Sequence, residues 1–153
     1  MPRRPRVSII GASQCGPDVL TLARDIGRGL AAVGCEVVCG GLGGVMRAVC
    51  EGAREAGGRT IGILPGTDLD DANPFVDLAV ATGLGPMRNF LIVLNGDMAV
   101  AVDGASGTLS EIGLALKIGR PVVAVGHWQD IDGVIPAANA TEAVNHARRI
   151  LGL

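Results

Sequence analysis

The chain has 153 residues, of which 48% are hydrophobic and 18% are charged, proportions typical of one packed globular domain and not of a disordered segment. Its net charge of −2 and its few aromatic residues, two Phe and one Trp, exclude a general nucleic-acid binder, which needs a basic surface and stacking rings. The first apolar run, Val7 to Ala12, is too short for a secretion signal or a membrane span. We therefore expect a cytoplasmic, non-membrane protein in which residues 1–153 form a single ligand-binding domain.

Short runs of β-branched residues alternate with helical patterns along the chain. The predicted strands cover residues 7–10, 36–39, 60–64, 77–82, 98–102 and 121–126. The predicted helices cover residues 18–34, 44–56, 87–95, 108–119 and 141–151. Continuous apolar strands that alternate with helices are typical of a parallel sheet covered on both faces. The sequence therefore predicts a single-domain, Rossmann-like three-layer α/β fold with a mostly parallel sheet of six to seven strands.

The cysteine and histidine pattern does not indicate metal chemistry. No two cysteines have the CxxC spacing of a metal site, and His127 and His146 lie far from them in the sequence. The four cysteines are Cys15, Cys35, Cys39 and Cys50. We expect them to be free structural thiols, and we expect no metal site.

Glycines, 24 in all, concentrate in the loops that follow predicted strands. These loops contain Gly11, Gly16, Gly40, Gly41, Gly43, Gly44, Gly83, Gly85, Gly104 and Gly107. Parallel α/β sheets bind ligands beyond the carboxyl ends of their strands, where the strand order reverses. The glycine loops therefore indicate a binding crevice at that edge; ordinary tight turns are the alternative interpretation of any single loop.

Several nucleotide and cofactor classes are excluded by single residues. The loop GASQCG carries Ser13 where a dinucleotide fingerprint needs its second Gly, and strand 36–39 ends without an acidic residue for a ribose diol. These features exclude a nicotinamide dehydrogenase. Lys117 is the only lysine and lies in the last turn of a predicted helix. Its position excludes a Walker ATPase and a pyridoxal-phosphate enzyme such as a lysine decarboxylase.

The segment from Asp103 to Glu111 joins strand 98–102 to the following helix. Backbone N–H groups of Ser106, Gly107 and Thr108 would point out of the helix N-terminus, where the helix dipole adds positive potential. This arrangement predicts an anion site. Thr108 and Glu111 also have the spacing of a capping box, so Glu111 is either a helix cap or a group that acts on the ligand.

Arg88 follows two glycines near the start of the helix predicted at 87–95. A cation at this end opposes the helix dipole and adds nothing to helix stability. We interpret Arg88 as a ligand residue whose replacement would weaken binding and leave folding stability unchanged. A solvated side chain and an ion pair with Glu111 across the crevice are the alternatives.

Five segments, taken together, resemble the Lonely Guy superfamily. They are GGLGGVM (40–46), GAREAGGRTIGILPG (52–66), ANPFV (72–76), TGLGPMRN (82–89) and GASGTLSEIGLALKIGRPVV (104–123). The segments are most similar to the branch of small bacterial Rossmann proteins related to the molybdenum-cofactor carrier proteins. The resemblance covers residues 7 to 126, in order and with matching spacing.

The resemblance implies two different activities. Lonely Guy enzymes are phosphoribohydrolases that cut the N-glycosidic bond of a cytokinin nucleoside 5′-monophosphate. In that case Gly107 and Thr108 match the phosphate loop, and Arg88 and Glu111 match the catalytic pair. The carrier proteins hold a phosphorylated pterin in the same crevice without chemistry.

The chain departs from the enzyme pattern at three positions. Asp103 and Ala105 replace the Pro and the second Gly of the enzyme loop, and Asn89 replaces the Lys that follows the Arg. Asp103 adds negative charge beside the predicted phosphate site, and Asn89 removes a positive charge. Both changes favour ligand binding over phosphoribohydrolase activity.

These observations predict a binding or carrier protein for a phosphorylated nucleotide-like or pterin-like molecule, with no resident cofactor. A nucleoside 5′-monophosphate phosphoribohydrolase is the alternative. The candidate ligand- and phosphate-binding residues are Gly11, Ser13, Gly41, Gly43, Gly44, Met46, Arg88, Asn89, Gly104, Ser106, Gly107, Thr108 and Glu111. The ligand is a nucleoside monophosphate or a molybdopterin-type compound. The resemblance also implies a homodimer or homotetramer, in agreement with the nearly uniform apolar character of Phe90 to Leu94.

Overall fold

The computed structural model describes residues 2–153, which contain one seven-stranded sheet with every neighbouring pair of strands parallel. The strands are β1 (Arg6–Gly11), β2 (Glu36–Cys39), β3 (Thr60–Leu64), β4 (Leu78–Ala81), β5 (Met98–Val102), β6 (Val122–Val125) and β7 (Val134–Ala137). The α-helices are α1 (Pro17–Ala32), α2 (Val45–Glu55), α3 (Asn89–Leu94), α4 (Ser106–Lys117) and α5 (Ala140–Leu151). Short 3₁₀ turns at Leu69–Asp71 and Gly85–Arg88 precede β4 and α3. The predicted α/β fold is confirmed.

The strand order is β4-β3-β2-β1-β5-β6-β7, so the chain moves outward in opposite directions from the central pair β1 and β5. Val7 pairs with Met98 and Gly11 pairs with Val102 along this central contact. The carboxyl ends of β1 and β5 therefore lie side by side at the point where the order reverses. In an open α/β sheet this is where a ligand crevice forms.

Two apolar clusters cover the faces of the sheet. On one face, buried residues of α1, α2 and α5 pack against strand residues such as Val7 and Ile9. On the other face, Ile92 of α3 and Ile112 of α4 pack against residues that include Ile10. β2, β3, β5 and β6 are buried along their whole length, as a continuous apolar run predicts for a parallel strand between two helical layers.

Strand β7 was not placed by the sequence pattern. It has four residues, includes Pro136 and lies at the edge of the sheet. Proline cannot donate to a strand ladder and is tolerated only where one side of the strand is free. The short apolar run 134–137 therefore forms a strand because β6 offers a free edge, and its own sequence is a weak strand signal.

Helices α1 and α2 approach each other closely through two glycines. A Cβ atom on Gly27 would lie 2.1 Å from the carbonyl oxygen of Val49, and one on Gly52 would lie 1.9 Å from that of Arg24. Neither distance is possible for a real side chain, so only glycine allows this crossing. The two helices are thereby fixed against each other on one side of the crevice.

Candidate functional site

A cavity of about 380 Å³ opens at the carboxyl ends of the central strands. Its walls come from the end of β1 and the loop after it, from Gly40 after β2, from the 3₁₀ turn and α3, and from the first turns of α4. The cavity therefore lies at the reversal of strand order, where parallel sheets bind ligands.

Helix α4 begins two residues earlier than predicted, at Ser106, with Ala105 as its N-cap and no side-chain capping bond. Of the two alternatives for Glu111, the capping box with Thr108 is therefore wrong. A separation of three residues also places two side chains on one face of a helix, and here that face is turned into the cavity. Thr108 is 4% exposed and Glu111 is 7% exposed.

The carboxyl group of Glu111 faces the cavity without a protein hydrogen bond or ion pair among residues 2–153. Burial raises its pKa to about 7, and the positive charge of Arg88 opposes that rise. Near neutral pH the group is therefore divided between its acid and carboxylate forms. It can donate a hydrogen bond to a ligand in one form and accept from a ligand in the other.

Arg88 is 9% exposed and is held by main-chain oxygens. Its Nη1 donates to the carbonyl of Gly40 at 2.8 Å and to that of Ile63 at 2.6 Å, and its Nε donates to Oδ1 of Asn89 at 2.9 Å. It thus ties the ends of β2 and β3 to the turn before α3. The solvated alternative is wrong, because the side chain is buried and donates to two carbonyl groups. These contacts lead us to expect that its replacement lowers stability, in contrast to the expectation from the sequence.

The structure brings most of the predicted site residues together. The cavity is lined by Gly11, Ser13, Met46, Arg88, Asn89, Gly107, Thr108 and Glu111. Five predicted residues lie outside its lining: Gly41, Gly43, Gly44, Gly104 and Ser106. Gly104, with a φ of 100°, instead makes room for Thr108, whose Oγ1 would lie 2.1 Å from a Cβ at that position.

Seven lining residues are absent from the predicted binding residues, although Gly40 was among the glycines that indicated the crevice. They are Ile9, Ile10, Ala12, Gln14, Gly40, Ile92 and Ala105. The polar member of this set, Gln14, belongs to the glycine-bounded loop after β1, and its neighbour Ser13 was already a candidate. The isoleucines could not be predicted as lining residues, because an apolar residue at the bottom of a cavity has the same sequence periodicity as one in the hydrophobic core.

Asp103 has a left-handed backbone conformation, with a φ of 52°. Its Oδ1 lies 3.0 Å from Nδ1 of His127, in the loop after β6. Asp103 is absent from the lining of the cavity. The negative charge that the sequence places beside the anion site is therefore directed toward a neighbouring loop.

The four cysteines are free thiols, and Sγ of Cys39 lies 3.5 Å from Sγ of Cys50 beneath the loop after β2. No group of three or more metal-ligating side chains occurs within residues 2–153. In the same range, none of the helices has the length and apolar character needed to cross a membrane.

The chain matches a protein family in sequence and matches solved structures in fold. The profile of the SLOG cluster4 family matches residues 4–150. The structure of the molybdenum cofactor binding protein from Rippkaea orientalis superposes with a TM-score of 0.93 and 33% identity, covering 97% of this chain and 98% of that one. The molybdenum cofactor carrier protein from Chlamydomonas reinhardtii gives a TM-score of 0.91 and 32% identity, covering 99% of this chain and 100% of that one.

A curated enzyme is also similar in sequence. The cytokinin riboside 5′-monophosphate phosphoribohydrolase of Mycobacterium tuberculosis is 31% identical over 133 residues, which are 80% of this chain and 71% of the enzyme. The predicted resemblance to the Lonely Guy superfamily and to molybdenum-cofactor carriers is confirmed.

Proposed function

The chain belongs to the SLOG cluster4 family, and on that premise we propose that it is a binding or carrier protein for a phosphorylated nucleotide-like or pterin-like small molecule. The ligand occupies the 380 Å³ cavity between β1 and β5. Its phosphate lies at the N-terminus of α4, on the backbone N–H groups of Gly107 and Thr108, which line the cavity, and of the adjoining Ser106.

One observation carries the proposal: an unpartnered, buried Glu111 opens into the same cavity as the first turn of α4. Burial disfavours the charged form of this carboxyl group, as its raised pKa indicates, and its oxygens remain available to a molecule in the cavity. A ligand with a phosphate for the helix end and a polar ring or sugar for Glu111 would satisfy both. The two molybdenum-cofactor proteins support the carrier role, because each aligns with this chain over nearly its whole length.

The phosphate position is tested by a new carboxylate on α4. Gly107 is exposed and has open space where a Cβ would be, so Gly107→Asp is expected to fold normally and to weaken binding of adenosine 5′-monophosphate (AMP) by about 10-fold or more through repulsion. Gly113 on the same helix is equally open, so Gly113→Asp is the matched control and should bind like the parent. Titration calorimetry measures both affinities, and mass spectrometry of the denatured parent identifies any co-purified phosphorylated molecule. Equal affinity of the two variants for AMP would show that the phosphate does not bind at the N-terminus of α4.

A second candidate function, hydrolysis of the N-glycosidic bond of a nucleoside 5′-monophosphate, is favoured by the pKa of Glu111 near 7 and by the mycobacterial relative. Glu111 would then stabilise the positive charge that develops on the ribose, and Arg88 would steady the substrate charge. If the chain is a hydrolase, incubation with AMP releases free adenine, and Glu111→Gln reduces the rate by about 100-fold or more. If the parent binds AMP but releases no adenine, the result contradicts the hydrolase function and supports the carrier function.

We also propose that the chain forms a homodimer or homotetramer. Exposed apolar side chains are grouped on the 3₁₀ turn, on the residue before it and on α3: Leu84, Met87, Phe90 and Leu94. Met87 is 75% exposed, and Met87→Asp is expected to shift the sedimentation coefficient toward that of a monomer. Leu153→Asp, two residues after the end of α5, should leave the assembly unchanged. A parent protein that sediments as a monomer at micromolar concentration would contradict the proposal.

A further inference from the structure

Two cysteines from different elements meet beneath the glycine loop after β2, which runs from Gly40 to Gly44. Cys39 is the last residue of β2, Cys50 lies in α2, and both side chains are fully buried. Their Sγ atoms are 3.5 Å apart. The sulfurs of a disulfide are about 2.05 Å apart, so a shift of about 1.5 Å brings this pair to bonding distance.

The two thiols have different roles in their contact. Sγ of Cys39 donates to the carbonyl oxygen of Met46 at 3.9 Å and accepts from the backbone N–H of Gly41 at 3.4 Å, so Cys50 is the donor between the two sulfurs. This bond, the N–H of Gly41 and the charge of Arg88 lower the pKa of Cys39 against the effect of burial. The same bond and burial raise the pKa of Cys50. Cys39 therefore supplies the thiolate, which is the reactive form of a thiol.

The β2 side of the pair is the side that can move. Helix α2 is held at Gly52, two residues after Cys50, where it touches the backbone of α1. Cys39 instead leads directly into the glycine loop. Gly40, the next residue, lines the 380 Å³ cavity, and its carbonyl accepts from Nη1 of Arg88 at 2.8 Å. A shift of Cys39 toward α2 therefore displaces Gly40 and loosens the anchor of Arg88.

Access to the buried pair depends on the loop above it. Four of its five residues are glycine, and glycine allows backbone conformations that other residues resist. Asn73 holds the loop by two hydrogen bonds, from its backbone N–H to the carbonyl of Gly41 at 2.8 Å and from its Nδ2 to that of Leu42 at 2.9 Å. Local opening of so short a segment breaks few contacts and admits a small oxidant.

We propose that Cys39 and Cys50 form a reversible disulfide site for oxidation by a peroxide, and that the disulfide weakens ligand binding in the 380 Å³ cavity. The Cys39 thiolate attacks one oxygen of hydrogen peroxide and breaks the O–O bond, which gives a sulfenic acid and hydroxide. The proton that Cys39 lost converts the hydroxide to water. The Cys50 sulfur then attacks the sulfenic sulfur, and its thiol proton leaves with the hydroxyl group as a second water. Two thiols are thus oxidised and one peroxide is reduced; only the effect on the ligand rests on the proposed function.

Peptide mapping detects the bond. The folded protein is treated with hydrogen peroxide, alkylated in denaturant and digested with trypsin, which places Cys39 in residues 29–47 and Cys50 in residues 48–54. The expected product is these two peptides joined with the loss of two hydrogen atoms, and dithiothreitol should separate them. Cys35 is buried and lies in the first peptide, so Cys35→Ala is the matched control and should keep the link. Cys50→Ala should lose it.

The effect on the cavity has two measurements. Titration calorimetry is expected to show about 10-fold weaker binding of AMP to the oxidised parent, with recovery after dithiothreitol. Cys50→Ala retains Cys15 and Met46, which peroxide can also oxidise, so a loss of affinity caused by those residues appears in this variant too. Amide hydrogen exchange needs no ligand, and residues 40–44 and 85–88 should exchange faster in the disulfide form.

The outcomes distinguish this inference from the proposed function. Absence of the link in the folded parent, or its loss in Cys35→Ala, overturns the disulfide site. A link that changes neither hydrogen exchange nor the affinity for AMP overturns the effect on the cavity, as does an equal loss of affinity in Cys50→Ala. If the parent binds no AMP in either form, the proposed function is contradicted, and peptide mapping and hydrogen exchange still decide the disulfide site and its effect on the loop.

Discussion

An Arg88→Ala protein is expected to lose about 3 kcal/mol of unfolding free energy and to lose ligand affinity as well. The substitution leaves the carbonyl groups of Gly40 and Ile63 without their donor in a buried position. It also frees the ends of β2 and β3 at the rim of the cavity, so the wall on which the ligand rests becomes less ordered. Urea unfolding at pH 7 measures the first effect, and titration with AMP measures the second.

Arg54→Ala is the matched control for Arg88→Ala. Arg54 is an exposed arginine whose guanidinium lies 3.5 Å from the carboxylate of Asp77, so its loss should cost about 0.5 kcal/mol. An Arg88→Ala protein as stable as this control would show that the two carbonyl contacts contribute little. Normal stability with lost affinity would restore Arg88 as a ligand residue alone.

The free energy of unfolding of Glu111→Gln, compared with that of the parent, is expected to become more favourable as the pH rises, because the parent loses stability. In the folded protein burial raises the pKa of Glu111 to about 7, whereas in the unfolded chain it titrates near its ordinary value of about 4.5. Between these values the folded state binds more protons than the unfolded state, so the parent loses stability as the pH increases. The stability of the Gln variant minus that of the parent should therefore grow by about 2 kcal/mol from pH 5 to pH 8, measured by urea unfolding.

Glu55→Gln is the control, because the pKa of Glu55 is shifted in the direction opposite to that of Glu111. Hydrogen bonds from Arg24 and Arg28 lower the pKa of this exposed carboxyl, so its contribution to stability is present above its unfolded pKa and is lost as the pH falls. The Gln variant at position 55 should not gain on the parent between pH 5 and pH 8. A pH-independent difference for Glu111→Gln would mean that Glu111 is ionised in the folded protein throughout this range.

The fold was readable from the sequence because its signals are local. Strands such as β5 are continuous apolar runs, and such runs are characteristic of strands covered on both faces. β7 lacks this signal, since its four residues include Pro136 and its existence depends on the free edge of β6. The boundaries of α4 were displaced by two residues, because a Thr-x-x-Glu spacing fits both a helix start and one face of a helix interior.

The parts of the candidate site that are formed by loop and helix backbone were predicted from the sequence. The roles of side chains that contact residues distant in the chain were not. The α4 N-terminus and the loop after β1 follow from glycines and from the order of elements. The anchoring of Arg88 depends on Gly40 and Ile63, which lie 48 and 25 positions from it in the chain. No local pattern contains such contacts.

The central pair of strands also has a consequence for how the chain folds. Ile9 of β1 pairs with Val100 of β5, so the two walls of the crevice come from segments on opposite sides of three intervening strands and helices. Closing such a long loop costs entropy before any contact between its ends is gained, which makes this pairing an intrinsically slow step. During synthesis, β1 leaves the ribosome long before its neighbour exists and exposes one unpaired edge until β5 follows. The crevice can thus close only after β2, β3 and β4 have been made, and a molecule bound across it would hold together two segments that lie far apart in the chain.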